Sequence, residues 1–337
     1  MRRLSLNLLT GSVTALVLAL LTLPAIAVRE RAGRAPSLPV PSTRAAGTYM
    51  DPWHIDDWAA KVGATPTIAA KFEAFWRKQT VTRFTDEAEH QGIRRVLVSW
   101  EPWKPVPTRF GIARVARPQP RYTNRAIANG VQDPYIRRFA RSLATFDGVV
   151  YLRFAHEMNG FWYPWSHDPR EYRRAWRHVV EVVRQVGARN VRFVWSVNPN
   201  PYQSMPIWIQ GLRLYWPGKR YVDMLGSTVI NFGGSKRYAI AAFAPRLRTL
   251  HHIYGKPVFL TEVNTQYGGR VRWLQDLRRL LRRTPWVRAL AWSQLPSRGA
   301  AQMIAPGDLH WDVQRDRKSA AVLRGIIEDG FVNRAGH

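Results

Sequence analysis

The sequence predicts a (β/α)8 barrel, and three observations predict it. Short β-rich runs alternate with long amphipathic helical patterns over residues 47–333, which implies a parallel sheet covered by helices. Eight such runs suit a closed barrel, a fold that typically takes about 250 residues plus insertions. The open doubly wound sheet, its structural rival, finds no support: no G-x-G-x-x-G follows the first strand and no P-loop occurs anywhere.

Taken in order, the chain opens with Arg2 and Arg3, an apolar run from Leu8 to Leu23, the helix breaker Pro24 and the small residues of Ala25-Ile26-Ala27. That pattern predicts a signal peptide over residues 1–27, cleaved after Ala27, with an uncleaved membrane anchor as the alternative. Either way the rest of the chain is expected outside the cytoplasm. Residues 28–46, with three prolines and scattered charge, read as a linker. Strands are then expected near Thr48–Met50, Thr67–Lys71, Arg95–Ser99, Val149–Phe154, Val191–Val197, Val222–Val229, Val258–Glu262 and Arg288–Ser293. Helical periodicity fills Asp133–Phe146, Pro169–Val186, Lys236–Tyr254, Arg270–Arg283 and Lys318–Asp329. The single domain spans 47–333.

Composition limits the chemistry. With no cysteine among 337 residues, disulfide scaffolds, thiolate catalysis and Cys-ligated metals are excluded. Lys and Arg number 51 against 23 Asp and Glu, a net charge of +28. The arginines are dispersed through helices such as REYRRAWRHVVEVVRQV and RWLQDLRRLLRR, so they read as solvated polar faces. No zinc-finger spacing, RNP motif or basic zipper supports a nucleic-acid partner. Peripheral attraction to an anionic cell envelope fits the charge.

Two strand ends carry carboxylates in polar, aromatic company. The fourth strand ends in HEMNGFWYPW, residues 156–165, and the seventh in TEVN, residues 261–264. Glu157 and Glu262 are 262 − 157 = 105 residues apart, three βα units of 35. In a barrel, chemistry belongs at the C-terminal ends of the strands. Two carboxylates in one mouth, about 5–5.5 Å apart, are what a retaining glycosidase needs. The competing reading makes each Glu an ion-pair partner for an arginine such as Arg153. Other chemistries fall away: Gly160 breaks an H-E-x-x-H zinc site, and no G-x-S-x-G nucleophile elbow exists. His251 and His252 are expected on a helix surface, Asp308 and Asp312 as loop caps, and Trp58, Trp76 and Trp176 as structural. No metal and no cofactor are expected.

At these residues the chain resembles glycoside hydrolase family 26, the family of β-mannanases and related endo-β-glucanases. The segment opening with HEMNG carries most of the resemblance, supported by WEPW at 100–103, WSVNPN at 195–200 and YVDMLG at 221–226. The resemblance implies Glu157 as general acid/base and Glu262 as nucleophile, with His156 supporting the site and Trp162 lining the sugar subsites. It also implies Trp292 as the platform under the reacting sugar. Trp165 is expected to stack on sugar, Asn159 and Asn264 to donate near the carboxylates, and Glu101, Trp103 and Asn231 to complete the substrate-binding set. Two positions depart from the family pattern. Ile230 stands where a Tyr commonly contacts the nucleophile, and Glu101 stands where mannanases usually carry a His. The implied function is a secreted, monomeric retaining endo-β-glycanase acting on a β-mannan or β-glucan type of polysaccharide. Two alternatives stay open: a carbohydrate-binding barrel with weakened catalysis, and a basic envelope protein that binds anionic polymer.

Overall fold

The computed structural model describes residues 39–41, 43–49, 52–108, 111–113, 119–232, 239–265, 269–294 and 312–329. The expected signal segment and most of the linker lie outside these residues, as does Asp308. Eight parallel strands close into a barrel: β1 (Ala45–Tyr49), β2 (Ile68–Ala74), β3 (Arg95–Glu101), β4 (Val149–Phe154), β5 (Val191–Val197), β6 (Met224–Asn231), β7 (Val258–Thr265) and β8 (Val287–Trp292), with β8 pairing back onto β1. Each strand pairs with its neighbours in chain order, as right-handed βα crossovers require. Among the described residues, the surrounding helices are α1 (Ile55–Val62), α2 (Thr82–His90), α3 (Asn124–Ala128), α4 (Asp133–Ala144), α5 (Pro169–Gln185), α6 (Met205–Tyr215), α7 (Ile240–Tyr254), α8 (Arg270–Arg282) and α9 (Arg317–Glu328). A short hairpin, Val106–Thr108 with Gly111–Ala113, follows β3. No helix among the described residues is long and apolar enough to cross a membrane.

Strand alternation divides the core in two. Inside the barrel, Tyr49, Ile68, Ala70, Leu97, Tyr151, Val194, Met224, Phe259, Ala289 and Ala291 fill the lower layers. The opposite faces of the strands meet the helices in a second, larger core that includes Trp58, Trp100, Trp176 and Trp195. Local chemistry starts the helices cleanly: α5 has Pro169 in its first turn and Asp168 as N-cap, its Oδ1 accepting from the Glu171 N–H at 3.0 Å. Such a cap is worth about 1 kcal/mol.

Two expectations are corrected. Trp76 is not core: it sits on a single 3-10 turn after β2 and is 41% exposed. His251 is half-buried rather than a plain surface residue. Its ring stacks on Trp286 at 4.7 Å and its Nδ1 meets the Lys256 carbonyl at 2.8 Å.

Candidate active site

The C-terminal mouth is built on one buried guanidinium. Arg153 points inward from β4, completely buried, where a cation needs partners to offset its desolvation. Its Nη1 lies 2.7 Å from Glu262 Oε1 and donates to Ser99 Oγ at 3.1 Å, while Nη2 donates to Thr228 Oγ1 at 3.2 Å. Thr228 in turn hydrogen-bonds Glu262. Ser99 Oγ continues the network to the Tyr49 hydroxyl at 2.9 Å. Arg153 thus meets the expectation of an arginine partner for one Glu, and it does so inside the barrel mouth.

Glu262 reaches this position through a bulge. Pairing of β7 with β6 shifts between Ser227 and Thr228, and pairing with β8 shifts between Leu290 and Trp292. One extra residue at Thr261–Glu262 answers both shifts. Strict alternation would alternate Thr261 and Glu262 across the sheet. The bulge lets Thr261 bond Ser196 Oγ at 3.0 Å while Glu262 meets Arg153, the kind of re-aiming for which bulges recur beside active sites. Burial pushes the Glu262 carboxyl above the ordinary carboxylate range; Arg153 opposes this, and the nearby charge of Glu157 reinforces it.

Glu157 is held differently. It follows β4 in a backbone with φ +54°, and Ala155 two residues earlier has φ +43°. Non-glycine residues pay for such conformations, and these recur at functional sites. The Glu157 N–H donates to the Ser196 carbonyl at 2.8 Å, pinning the strand end to β5. Its carboxylate accepts from the Trp162 indole N–H at 3.1 Å.

Behind the two carboxylates stands an aromatic wall. Tyr163 and Trp165 stack at 4.3 Å, and Trp103 meets both edge-on. Trp165 donates to the His156 carbonyl at 2.7 Å, and His156 Nε2 pairs with the Tyr163 hydroxyl at 3.0 Å. Burial, reinforced by Arg153, depresses the His156 imidazole well below its usual value, so it stays neutral. Trp103 donates to Glu101 Oε2 at 3.2 Å. Burial pushes the Glu101 carboxyl up to about 8, which keeps it protonated at neutral pH.

The structure brings together Glu157, Glu262, His156, Trp162, Glu101 and Trp103 at this mouth. Two expected platforms are corrected. Trp292 is 0% exposed and packs on the helix side of β8, because alternation turns Ala289 and Ala291 inward instead. Trp165 is equally buried and props the wall. Neither has a face to offer a sugar. Asn159 is also placed elsewhere: its side chain bonds the Asn198 backbone at both ends, at 2.7 and 2.8 Å. Asn264 donates to the Ser293 carbonyl, and Asn231 to Thr265 Oγ1 at 2.9 Å. Asp312 pairs with Arg315 at 3.0 Å. Among the described residues no group of three His, Asp or Glu could hold a metal ion.

Tyr163, Thr228, Ser99 and Tyr49 were not singled out from the sequence. Alternation within β3, β4 and β6 could have found Ser99 and Thr228, since both share the inward parity of Arg153 or its partners. Nothing local marks Tyr163 or Tyr49.

A closed parallel barrel whose C-terminal mouth gathers buried carboxylates, a guanidinium and aromatic rings is an arrangement of the kind that barrel glycoside hydrolases use. Comparison with known proteins narrows it. The family model Glycosyl hydrolase family 26 matches residues 115–251. Endoglucanase H of Acetivibrio thermocellus is 27% identical over 253 residues, covering 71% of this chain and 25% of that protein. Beta-1,3-xylanase TXYA of a Vibrio species is 35% identical over 102 residues, 30% of this chain and 21% of that protein. The chain therefore spans a quarter or less of these curated relatives. Among solved structures, a β-mannanase from Bacteroides ovatus superposes with a TM-score of 0.60 at 16% identity, covering 88% of this chain and 95% of that one. The endo-β-1,4-mannanase catalytic domain of a Bacillus species gives 0.58 at 15% identity. These structures share the fold. On the sequence matches, the chain is similar to glycoside hydrolase family 26, most directly over residues 115–251.

Proposed function

We propose that the chain is a retaining endo-β-glycanase that works outside the cytoplasm on a β-linked polysaccharide, of β-mannan or β-glucan type, with Glu262 as nucleophile and Glu157 as general acid/base. The observation that carries this reading is the unequal treatment of two neighbouring carboxylates. Glu262 is bound to Arg153 at 2.7 Å and to Thr228, contacts that favour its charged form. Glu157 accepts from the Trp162 indole and sits at a strained strand end.

The reaction follows from these environments. Glu157 gives its proton to the glycosidic oxygen while Glu262 attacks the anomeric carbon, forming a glycosyl ester and releasing the leaving chain. Glu157, now a base, takes a proton from water, which attacks the same carbon and restores the carboxylate of Glu262. Arg153 and Thr228 hold the attacking oxygen in line, and Trp162 offers an apolar face to the sugar ring. A barrel that only bound sugar would have no use for a desolvated Glu262, since burying an ionisable group is costly. The names of relatives point to glucan, 1,3-xylan and mannan, whose shared feature is the β-linked main chain.

The test is product sizing after incubation with β-mannan, mixed-linkage β-glucan, xylan and bacterial exopolysaccharides, followed by Glu262→Ala. Turnover is expected to vanish and to return in part with azide, giving a glycosyl azide of inverted anomeric configuration. Undiminished turnover in that variant rejects the nucleophile assignment.

A further inference from the structure

The loops that follow β2 and β3 carry a charge pattern that the hydrolytic chemistry does not use. Residues 75–81 and 102–132 together contain two Lys, six Arg and no Asp or Glu. Both loops leave the C-terminal ends of their strands, the side on which the mouth opens. Elsewhere around the mouth the balance differs: residues 198–204 after β5 carry no charged side chain, and residues 155–168 after β4 carry Glu157 and Asp168 but no Lys or Arg. Among the described residues of these two loops, Arg77, Lys78 and Lys104 stand close to the ends of β2 and β3.

Trp76 stands beside these residues. Its N–H donates to the Trp103 carbonyl at 3.3 Å, two residues from Glu101, and the Lys78 N–H closes the turn onto the Phe75 carbonyl at 3.0 Å. Lys78 holds this turn with φ +50°, a conformation that non-glycine residues adopt rarely. The indole is thus fixed at its base and 41% exposed. Lys104 Nζ lies 5.6 Å and Arg77 Cζ 5.9 Å from its ring centroid. Among the described residues no carboxylate pairs with Arg77, Lys78 or Lys104.

We propose that Trp76, Arg77 and Lys104 form a distal subsite for a negatively charged sugar, so that the substrate of this enzyme is an anionic β-glycan. The inference rests on the glycosidase reading above and names its substrate class. A pyranose has an apolar C–H face that stacks on an indole. A sugar bearing a carboxylate or sulfate adds an anion at the edge of that face, where a guanidinium and an ammonium can meet it. Cation–π contacts are weak at exposed sites, so both side chains can leave the ring for the sugar's anion. A neutral glycan would use the indole alone and gain nothing from the two cations beside it. The excess of 28 positive charges over the whole chain favours encounter with such a polymer.

The experiment compares one β-glucan backbone in three forms: neutral, partly oxidised to carboxylate at C6, and partly sulfated. Affinity electrophoresis of the full chain through each polymer, and kcat/KM on each, are measured for wild type, Trp76→Ala, Lys104→Gln and Arg77→Gln. Wild type should prefer an anionic form about 10-fold over the neutral one at low salt, with the preference shrinking at about 0.5 M NaCl as screening shortens. Whichever anionic form ranks first names the group. Each charge variant should cut the preference about 3–5-fold, the usual worth of an exposed ionic contact, while turnover of an aryl β-glycoside stays within about 2-fold. Neutral polymer handled as well as both anionic forms overturns the proposal, as does a preference that survives all three variants. Aryl turnover that persists in Glu262→Ala would instead reject the underlying glycosidase reading.

Discussion

At the scale of single residues, the site turns on what stabilises Glu262 as an anion. Burial raises its pKa, and the nearby Glu157 raises it further; Arg153 and Thr228 pull it back down. Ile230, buried beside this strand and paired in register with Asn264, does not leave Glu262 without donors, because the guanidinium and the Thr228 hydroxyl already supply two. Ile230→Tyr is therefore not needed to restore a hydrogen bond. Thr228→Val is the informative change. It removes a donor to the charged form, so the carboxyl becomes harder to ionise and its pKa rises. The nucleophile must be ionised to attack, and its titration sets the acidic limb of the kcat/KM profile. That limb should sit above the ordinary carboxylate value of 4.5 in the wild type and move higher in the variant. The rate on the plateau should fall about 10–10²-fold, the worth of one hydrogen bond to a charged group. A slower variant with an unmoved limb would show that Thr228 only positions Glu262 or Arg153 and does not tune the charge. This part of the site was half legible in the sequence. Two strand-end glutamates in aromatic company pointed to the dyad, but Thr228 is a common residue in an apolar strand, and only closure of the barrel puts it opposite Arg153.

At the scale of elements, β4 and β5 were legible to the residue: Val149–Phe154 and Val191–Val197 are short apolar runs with clear polar or glycine boundaries. The long helices α5 and α8 were legible within a residue, through their 3.6-residue arginine and apolar stripes. The short helices α1, α2 and α6, of 8, 9 and 11 residues, were not. Two or three turns give too few repeats to establish a period, and Pro206 and Gly211 obscure α6 further. The β7 bulge was also hidden, since a shift in register belongs to a pair of strands and leaves no mark on one. Misplacing Trp292 has the same origin: its sequence position names the end of β8, while the pleat decides which face it takes. The loop after β4 makes a prediction at this scale. A Cβ on Gly160 would lie 2.5 Å from the Trp162 ring, so Gly160→Ala must displace the indole that donates to Glu157. If that contact positions the acid, the loss will depend on how much the leaving group needs a proton. Aryl β-glycosides with poor leaving groups should slow about 10²-fold, in the range for losing one preorganised contact. Dinitrophenyl glycosides, which depart unaided, should slow less than about 3-fold in the same assay. Equal losses on both would mean the ring serves sugar binding and not the acid.

At the scale of the whole molecule, charge is the property most plainly written in the sequence and least used by the fold. Twenty-three acids cannot pair with 51 Lys and Arg, so at least 51 − 23 = 28 cations lack a carboxylate of their own. Several pairs that do form are exposed: Lys61 with Asp57, Arg94 with Asp147 and Arg324 with Glu328, each worth little on its own. The barrel's stability comes from its two apolar layers, and the surface works against it, because like charges on a compact body repel more than on an expanded chain. Titration cannot relieve this repulsion below about pH 10, since Arg and most Lys stay charged. Salt can. Raising monovalent salt from about 10 to 200 mM shortens the Debye length from about 30 Å to below 10 Å and so screens the long-range part of the repulsion. The melting temperature should therefore climb over that range by several degrees and then level off, equally with the chloride and acetate salts of sodium. Differential scanning calorimetry decides the matter. A melting temperature that falls with salt would mean that the exposed ion pairs outweigh the repulsion, contrary to their number. A rise confined to one anion would mean instead that a particular site binds it.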